Sequence, residues 1–254
     1  MSKEKTNELY VAIATQKGGI GKSTITMLLA NYFHNLCDKN VGVIDCDDPQ
    51  HSICDARERE LLLIRNNEPH MEAAKDVFRK TGKRIFPVVA TNPVDAIEQA
   101  EILIEDGNID IVMFDLPGTI RSKGVLSTLA RMDYIFVPIS ADRLVLESAL
   151  QFVANFKDNL MTTGKAATRE IYLFWTMVDG REKNSLYNLY DEVIGDLGFS
   201  VLRTRIPDSK RFRRDFSEPD KAVFRSTIFL PDSQLLKGSR IRELADEILS
   251  IIDK

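Results

Sequence analysis

No apolar run in this 254-residue chain approaches the roughly 20 residues needed to cross a bilayer as a helix, which argues against a membrane-spanning segment. Cysteine is scarce. Cys37, Cys46 and Cys54 are an odd set with no Cys-x-x-Cys among them, and none follows Cys54. The opening residues 1–8 are polar and charged, and read as a flexible segment, neither signal peptide nor anchor. A reduced, cytoplasmic chain is therefore expected. Cys46 and Cys54 stand eight residues apart, which is no zinc-ribbon spacing, so all three read as small apolar residues. The excess of one charge is small: a net charge of −4 excludes a uniformly basic coat, and any nucleic-acid contact must come from a local patch. Repeats, low-complexity stretches and convincing linkers are missing too, so residues 1–254 are expected to form one α/β domain.

What is there is organised around Gln16-Lys17-Gly18-Gly19-Ile20-Gly21-Lys22-Ser23-Thr24. An apolar run, Leu9–Ala14, precedes it and an amphipathic run, Ile25–Leu36, follows. Strand, glycine-rich loop and helix in that order are the context a P-loop requires. Backbone N–H groups from Gly18 to Thr24 would cradle a triphosphate at the positive end of the helix. Lys22 would reach the β- and γ-phosphates, and Ser23 would ligate Mg²⁺.

Strands and helices alternate beyond this point. Val41–Ile44, Ile85–Val89, Ile109–Phe114, Tyr134–Pro138, Ile171–Thr176 and Val201–Arg203 read as strands, with Pro87 suggesting a sheet edge. Helices are expected over Ser52–Ile64, with Glu58, Arg59, Glu60 and Arg65 on a solvated side, from Glu68 to Thr81, over Asp95–Glu105, and from Arg143 to about Leu160. Unbroken apolar strands are covered on both faces. The expected fold is a doubly wound, mostly parallel sheet with helices on both sides.

Ligands of such sheets bind beyond the carboxyl ends of the strands, where Asp45, Asp47, Asp48, Asp115 and Gly118 all fall. Asp115 ends an apolar strand, as a Walker B carboxylate that holds Mg²⁺ through water would. Helix capping is the competing role for any carboxylate in such a loop. Gly118 would bring its N–H close to a γ-phosphate.

Lys17 immediately before the glycine pair makes this loop resemble the deviant Walker A box of the ParA/MinD family of ATPases, a P-loop NTPase fold of the SIMIBI type. The resemblance covers nearly the whole chain and is sharpest over residues 11–52 and 109–140. It implies ATP and Mg²⁺ as cofactors and an ATP-dependent homodimer in which Lys17 reaches the partner's nucleotide. It implies Asp47 as the residue that orients the attacking water and Asp45 as a support of the magnesium shell. The text Asp45-Cys46-Asp47-Asp48-Pro49-Gln50 carries one residue more than the family's segment, which leaves Asp48 as a rival to Asp47. The base would lie near Met177, within Thr176–Asp179, and near Pro207, after Ile206. Asn-Lys-x-Asp is absent around Asp179, which favours ATP over GTP. Related iron–sulfur ATPases carry cysteines after the second switch, and this chain has none there.

Arg203, Arg205, Lys210, Arg211, Arg213, Arg214, Lys221 and Arg225 crowd one segment, partly offset by Asp208, Asp215, Glu218 and Asp220. On a helix starting near Ser209, Lys210, Arg213 and Arg214 would share a face. The resemblance implies non-specific DNA binding through such residues, Arg203 and Arg211 included; a solvated, ion-paired face is the alternative. Residues 232–254 should end in a helix, Arg240–Ile252, whose apolar positions pack on the core. Its Glu243, Asp246, Glu247 and Asp253 would be repelled by an anionic bilayer, against membrane cycling of the MinD kind. The stretch Phe224–Pro231, with Leu235–Ser239, is similar to a narrower group, the ParA-like TraA proteins of Bacteroides conjugative transposons. The implied function is a nucleotide switch in DNA partitioning or conjugative transfer, slow in hydrolysis until a ParB-like or conjugation-machinery partner stimulates it. A metabolic ATP-dependent ligase or synthetase on the same scaffold is the alternative, and a metal-cluster carrier is weaker.

Overall fold

In a computed structural model the chain is described over residues 8–181, 184–216 and 222–254. Seven strands form one sheet in the order β3-β2-β4-β1-β5-β6-β7, and every pairing is parallel. The central strands are β1 (Leu9–Ile13), β2 (Val41–Asp45), β4 (Ile111–Asp115) and β5 (Tyr134–Ile139). Their residues alternate between two cores. Val11, Ile13, Val43 and Met113 face one side, and Ala12, Ile44, Val112 and Phe114 the other. That is the physical reason these strands read as unbroken apolar runs.

On the first side lie α1 (Lys22–Leu36), α2 (Ser52–Asn66) and α9 (Ile241–Ile252). On the second lie α4 (Ala96–Asp106), α5 (Val125–Leu129), α6 (Arg143–Phe156) and α7 (Asn184–Asp196). A π-helical turn, Lys157–Met161, extends α6. α3 (Glu68–Thr81) packs beside α2. Asn67 caps α3, accepting from His70 N, and Gly82 closes it at φ 67°. His34, near the end of α1, is buried with Nε2 2.8 Å from the Arg84 carbonyl, and Val41 N approaches its Nδ1 at 3.4 Å.

α9 buries Ile241, Leu244, Ala245, Ile248 and Ile252, and it packs on α1. The tail therefore covers the core with its apolar face. Glu247 turns back to accept from Arg203 N and Thr204 N at 2.7 and 2.9 Å, tying α9 to the end of β7 (Ser200–Val201). Among the described helices none is long and apolar enough to cross a membrane.

Two expected strands shift at their ends: β4 starts at Ile111 rather than Ile109, and the last strand is Ser200–Val201 rather than Val201–Arg203. Three further expectations need correction. The third strand is Val88–Ala90, not Ile85–Val89. Pro87 has no N–H and contributes only its carbonyl, to Val43 N at 3.0 Å, so the edge strand starts after it. Glu60 is not on a solvated side of α2; it is 4% exposed and accepts from Thr227 N at 3.0 Å. The basic segment forms no α-helix at Ser209. Lys210–Arg213 is a single 3₁₀ turn, with Arg214 already extended, so Lys210, Arg213 and Arg214 do not share a helical face. The turn stops because Phe212 packs edge-on against Phe224, at 5.4 Å, and Arg211 reaches away to α8 (Ser233–Leu236). Residues 1–7, Glu218, Asp220 and Lys221 lie outside the described residues.

Candidate functional site

The register of the sheet builds the site. β1 pairs Ile13 with Asp115, and β2 pairs Asp45 with Asp115, so two strand-end carboxylates come level with the start of the glycine-rich loop. Lys17–Gly21 leaves β1 and turns directly into α1. Gly19 and Gly21 take φ of 82° and 88°, which a side chain would oppose, and Gly21 caps α1. Lys17 N meets Thr15 Oγ1 at 3.3 Å, and Gln16 Oε1 accepts from Ser148 of α6 at 3.1 Å. Ile20 anchors the loop in the interior, whereas Gly18 and Gly19 face solvent. The expected cradle, Gly18 to Thr24, thus lies on one loop and one helix start.

Asp115 is the most telling side chain. It is fully buried, and neither carboxylate oxygen meets a hydrogen-bond donor among the described residues. Burial pushes its carboxyl up to about 7; Lys22 and Ser23 favour the charged form, and Asp45 and Asp47 oppose it. A buried carboxylate left so poorly compensated is matched by a cation placed beside it. No group of three or more His, Cys, Asp or Glu among the described residues could hold a metal ion alone. Mg²⁺ takes one or two protein oxygens and completes its shell from phosphates and water. Ser23 and Asp115 are the residues here that would hold it.

The other carboxylates divide by their partners. Asp45 Oδ2 accepts from Ile53 N and Cys54 N at 2.9 and 3.0 Å, and its Oδ1 from Asp47 N at 3.4 Å. It caps the first turn of α2 and so fixes the path of the loop between. Asp47 is half-buried, with its carboxyl raised by burial and lowered by Lys22. Asp48 is exposed and pairs with His51 Nε2 at 3.4 Å. Of the two rivals, Asp47 feels the P-loop lysine and Asp48 stands outside.

Gly118 sits against the loop itself. A Cβ there would come within 3.2 Å of Gly18 N and 3.3 Å of Gly18 Cα. The segments carrying Met177 and Pro207 run side by side: Val178 bridges Pro207, with Val178 N donating to Ile206 O at 3.0 Å and Asp208 N to Val178 O at 2.9 Å. Asp179 instead holds Arg181, whose guanidinium and N–H keep its carboxyl low, at about 2. Cys46 is buried, and burial raises both its thiol and that of Cys54, the latter to about 12.

The basic residues separate. Arg203, Lys210, Arg213 and Arg214 are exposed. Arg211 turns inward, donating to the Leu235 and Lys237 carbonyls at 2.8 and 2.6 Å, and Arg205 holds Asp191 at 2.6 Å. Sequence reasoning missed a buried strap, Ser226–Phe229. Asn31 donates to the Ser226 and Phe229 carbonyls, both at 2.9 Å. Arg57 donates to Thr227 Oγ1 and O at 2.8 and 3.1 Å, and Glu60 accepts from Thr227. The signal was present in Arg57 and Glu60 among the apolar positions of α2, but their partners lie about 170 residues away.

The chain is similar to known proteins. Residues 11–220 match the family described as the CobQ/CobB/MinD/ParA nucleotide binding domain. The chain is 29% identical over 182 residues to the chromosome-partitioning ATPase Soj of Thermus thermophilus, covering 67% of this chain and 70% of Soj. Its fold is similar to that of the MinD cell division protein of Aquifex aeolicus, with a TM-score of 0.60, 14% identity and 97% of each chain covered. It is also similar to a putative plasmid partition protein of Borrelia burgdorferi B31 bound to AMPPNP, with a TM-score of 0.55, 18% identity, and 96% and 98% covered. The family match spans the glycine-rich loop, both strand-end carboxylates and Gly118, the parts assembled above. The chain belongs to the CobQ/CobB/MinD/ParA family of nucleotide-binding domains.

Proposed function

We propose that this protein is a ParA-type ATPase that pairs with a second copy when it binds ATP and Mg²⁺, and that hydrolysis separates the pair. The observation that supports this most is Lys17 placed ahead of a P-loop whose neighbouring carboxylate, Asp115, is fully buried with Lys22 and Ser23 as the groups that favour its charge. Lys22 and the loop amides bind the phosphates, and Ser23 and Asp115 hold the metal. Held there, Mg²⁺ would supply neutralisation of phosphate charge. Lys17 neutralises phosphate charge across the interface with the second copy. Asp47 orients the attacking water, while Asp45 keeps the Asp47 loop in place by capping α2. Gly118 reads the γ-phosphate through its backbone N–H, and Met177 and Pro207 flank the base.

The paired form binds DNA non-specifically. Its contacts are the exposed Arg203, Lys210, Arg213 and Arg214, whereas Arg211 shapes the segment from within. Such contacts neutralise phosphates without reading sequence. The role we assign is partition or conjugative transfer of a mobile element in the cytoplasm, in a protein of the TraA-like group, with a ParB-like or conjugation-machinery partner as activator. A synthetase role is the second reading, favoured by the presence of CobQ and CobB in the family's description.

Sedimentation of the wild type, Lys17→Ala and Lys22→Ala with ATP, ADP or no nucleotide tests the proposal. Pairing of the wild type alone, and only with ATP, is expected. Wild-type sedimentation that ignores ATP, with ATP turnover driven by a small carboxylic acid, would favour the synthetase.

A further inference from the structure

One arginine of the carboxyl-terminal segment touches the P-loop helix itself. Arg225 donates from Nη1 to Thr24 Oγ1 and from Nη2 to Asp215 Oδ2, each at 3.4 Å. Both contacts are long, so the guanidinium is held only loosely by its present partners. Its backbone is not loose. Residue 226 begins the strap anchored by Asn31, Arg57 and Glu60, and Ser226 Oγ accepts from Ile228 N and Phe229 N at 3.0 and 2.8 Å. Arg225 is thus fixed at its Cα and only loosely bonded at its tip. A cavity of about 540 Å³ adjoins it, with Ser23, Thr24, Asp55, Arg59 and Phe216 in its wall, so the tip has room to move.

Thr24 lies in the first turn of α1, where the loop and helix amides gather phosphate. A guanidinium beside that turn is a cation placed next to a phosphate site, and arginine's fork can take phosphate bidentately. Arg225 also connects outward. Its N–H donates to the Arg214 carbonyl at 2.9 Å, and Arg214 N donates to Arg211 O at 3.0 Å, at the end of the basic 3₁₀ turn. The side chain that faces the P-loop and the backbone that carries the exposed arginines are therefore one hydrogen bond apart.

We propose that Arg225 is a nucleotide-binding residue supplied by the carboxyl-terminal segment: with a nucleoside di- or triphosphate in the P-loop, its guanidinium leaves Asp215 for the phosphate over the first turn of α1, and the Arg211–Arg214 turn shifts with it. This rests on the P-loop reading above, and it makes occupancy of the loop felt in the basic segment without any second copy. By reciprocity, whatever holds that turn changes nucleotide affinity by the same factor.

The test is titration with a fluorescent ADP plus Mg²⁺, alongside amide hydrogen exchange with and without MgADP, on the full chain. In the wild type, exchange is expected to change both at Gly21–Thr24 and at Arg211–Arg214. Arg225→Gln should bind ADP about tenfold more weakly, the loss of one charge-assisted contact. At saturating ADP it should keep the change at Gly21–Thr24 and lose that at Arg211–Arg214. Arg225→Lys should recover part of the affinity. Asp215→Asn, which leaves Arg225 intact, should bind ADP severalfold more tightly. Wild-type affinity and a wild-type exchange pattern in Arg225→Gln would overturn the assignment, as would unchanged or weaker ADP binding in Asp215→Asn. Failure of the wild type to bind ADP would sink the P-loop reading and this assignment together, and it shows in the wild-type arm alone.

Discussion

Gly118 is pressed against Gly18, so the loop after β4 and the phosphate loop after β1 share one contact before any ligand arrives. A Cβ on residue 118 would stand 3.2 Å from Gly18 N, and the obstacle is backbone that cannot rotate away. Gly118→Ala is expected to push the two loops apart at a cost of about 1–3 kcal/mol in stability. ATP-dependent pairing should suffer more than ADP binding if Gly118 reads the γ-phosphate as proposed. Urea unfolding and sedimentation of the variant check both halves.

Asp115→Asn should separate stability from function. The carboxyl is held up at about 7 by burial, so replacing it with a neutral amide should leave the nucleotide-free melting temperature unchanged or raise it. The rise in melting temperature that MgATP gives the wild type should disappear. Thermal scans with and without MgATP measure both, and a variant that is destabilised yet still responds to MgATP contradicts the metal role.

The strap is expected to be costly to cut. Thr227→Val removes the Oγ1 that bonds both Arg57 Nε and Glu60 Oε2 in a buried setting, at a cost of about 1–3 kcal/mol. Arg57→Ala should cost more, about 3–5 kcal/mol, because it also removes packing over Phe86, 4.9 Å from the ring centroid. Urea midpoints at fixed pH give both values.

His34 supplies a pH dependence of definite sign. Burial holds its ring below the ordinary value of 6.5, against partial relief from the Arg84 carbonyl. Its folded pKa lies below its unfolded one, so its stabilisation is full above about 6.5 and is lost as pH falls through the lowered value. Comparing wild type with His34→Gln from pH 8 down to pH 5 should show the wild type losing stability faster. Parallel curves would refute it.

Much of the architecture was readable along the chain because it is written locally. Leu9–Ile13, Val41–Asp45 and Ile111–Asp115 are apolar in succession, and the glycine pair with Lys22 needs only its flanks to be interpreted. Pro87 at an edge followed from its missing N–H. What could not be read were bonds between distant residues. Glu60 resembles its exposed neighbours Glu58 and Arg59 in sequence, and only Thr227, from the far end of the chain, makes it a buried residue. The basic segment failed for a related reason. Charges at helical spacing describe a helix, yet Arg211's attraction to the end of α8 and the Phe212–Phe224 contact outweigh that spacing. Asp45's bonds to Ile53 N and Cys54 N, which cap a helix that starts seven residues further on, were likewise not legible in the sequence.

The sheet ends in short strands at both margins: β3 has three residues, introduced by a proline, and β7 has two. Neither offers enough unpaired backbone to recruit a strand from another molecule. Edges this short disfavour joining two copies by continuing one sheet into the next, and with it the open-ended stacking that leads to fibres. The closed, symmetric pair proposed above would then meet away from the lateral rims of the sheet.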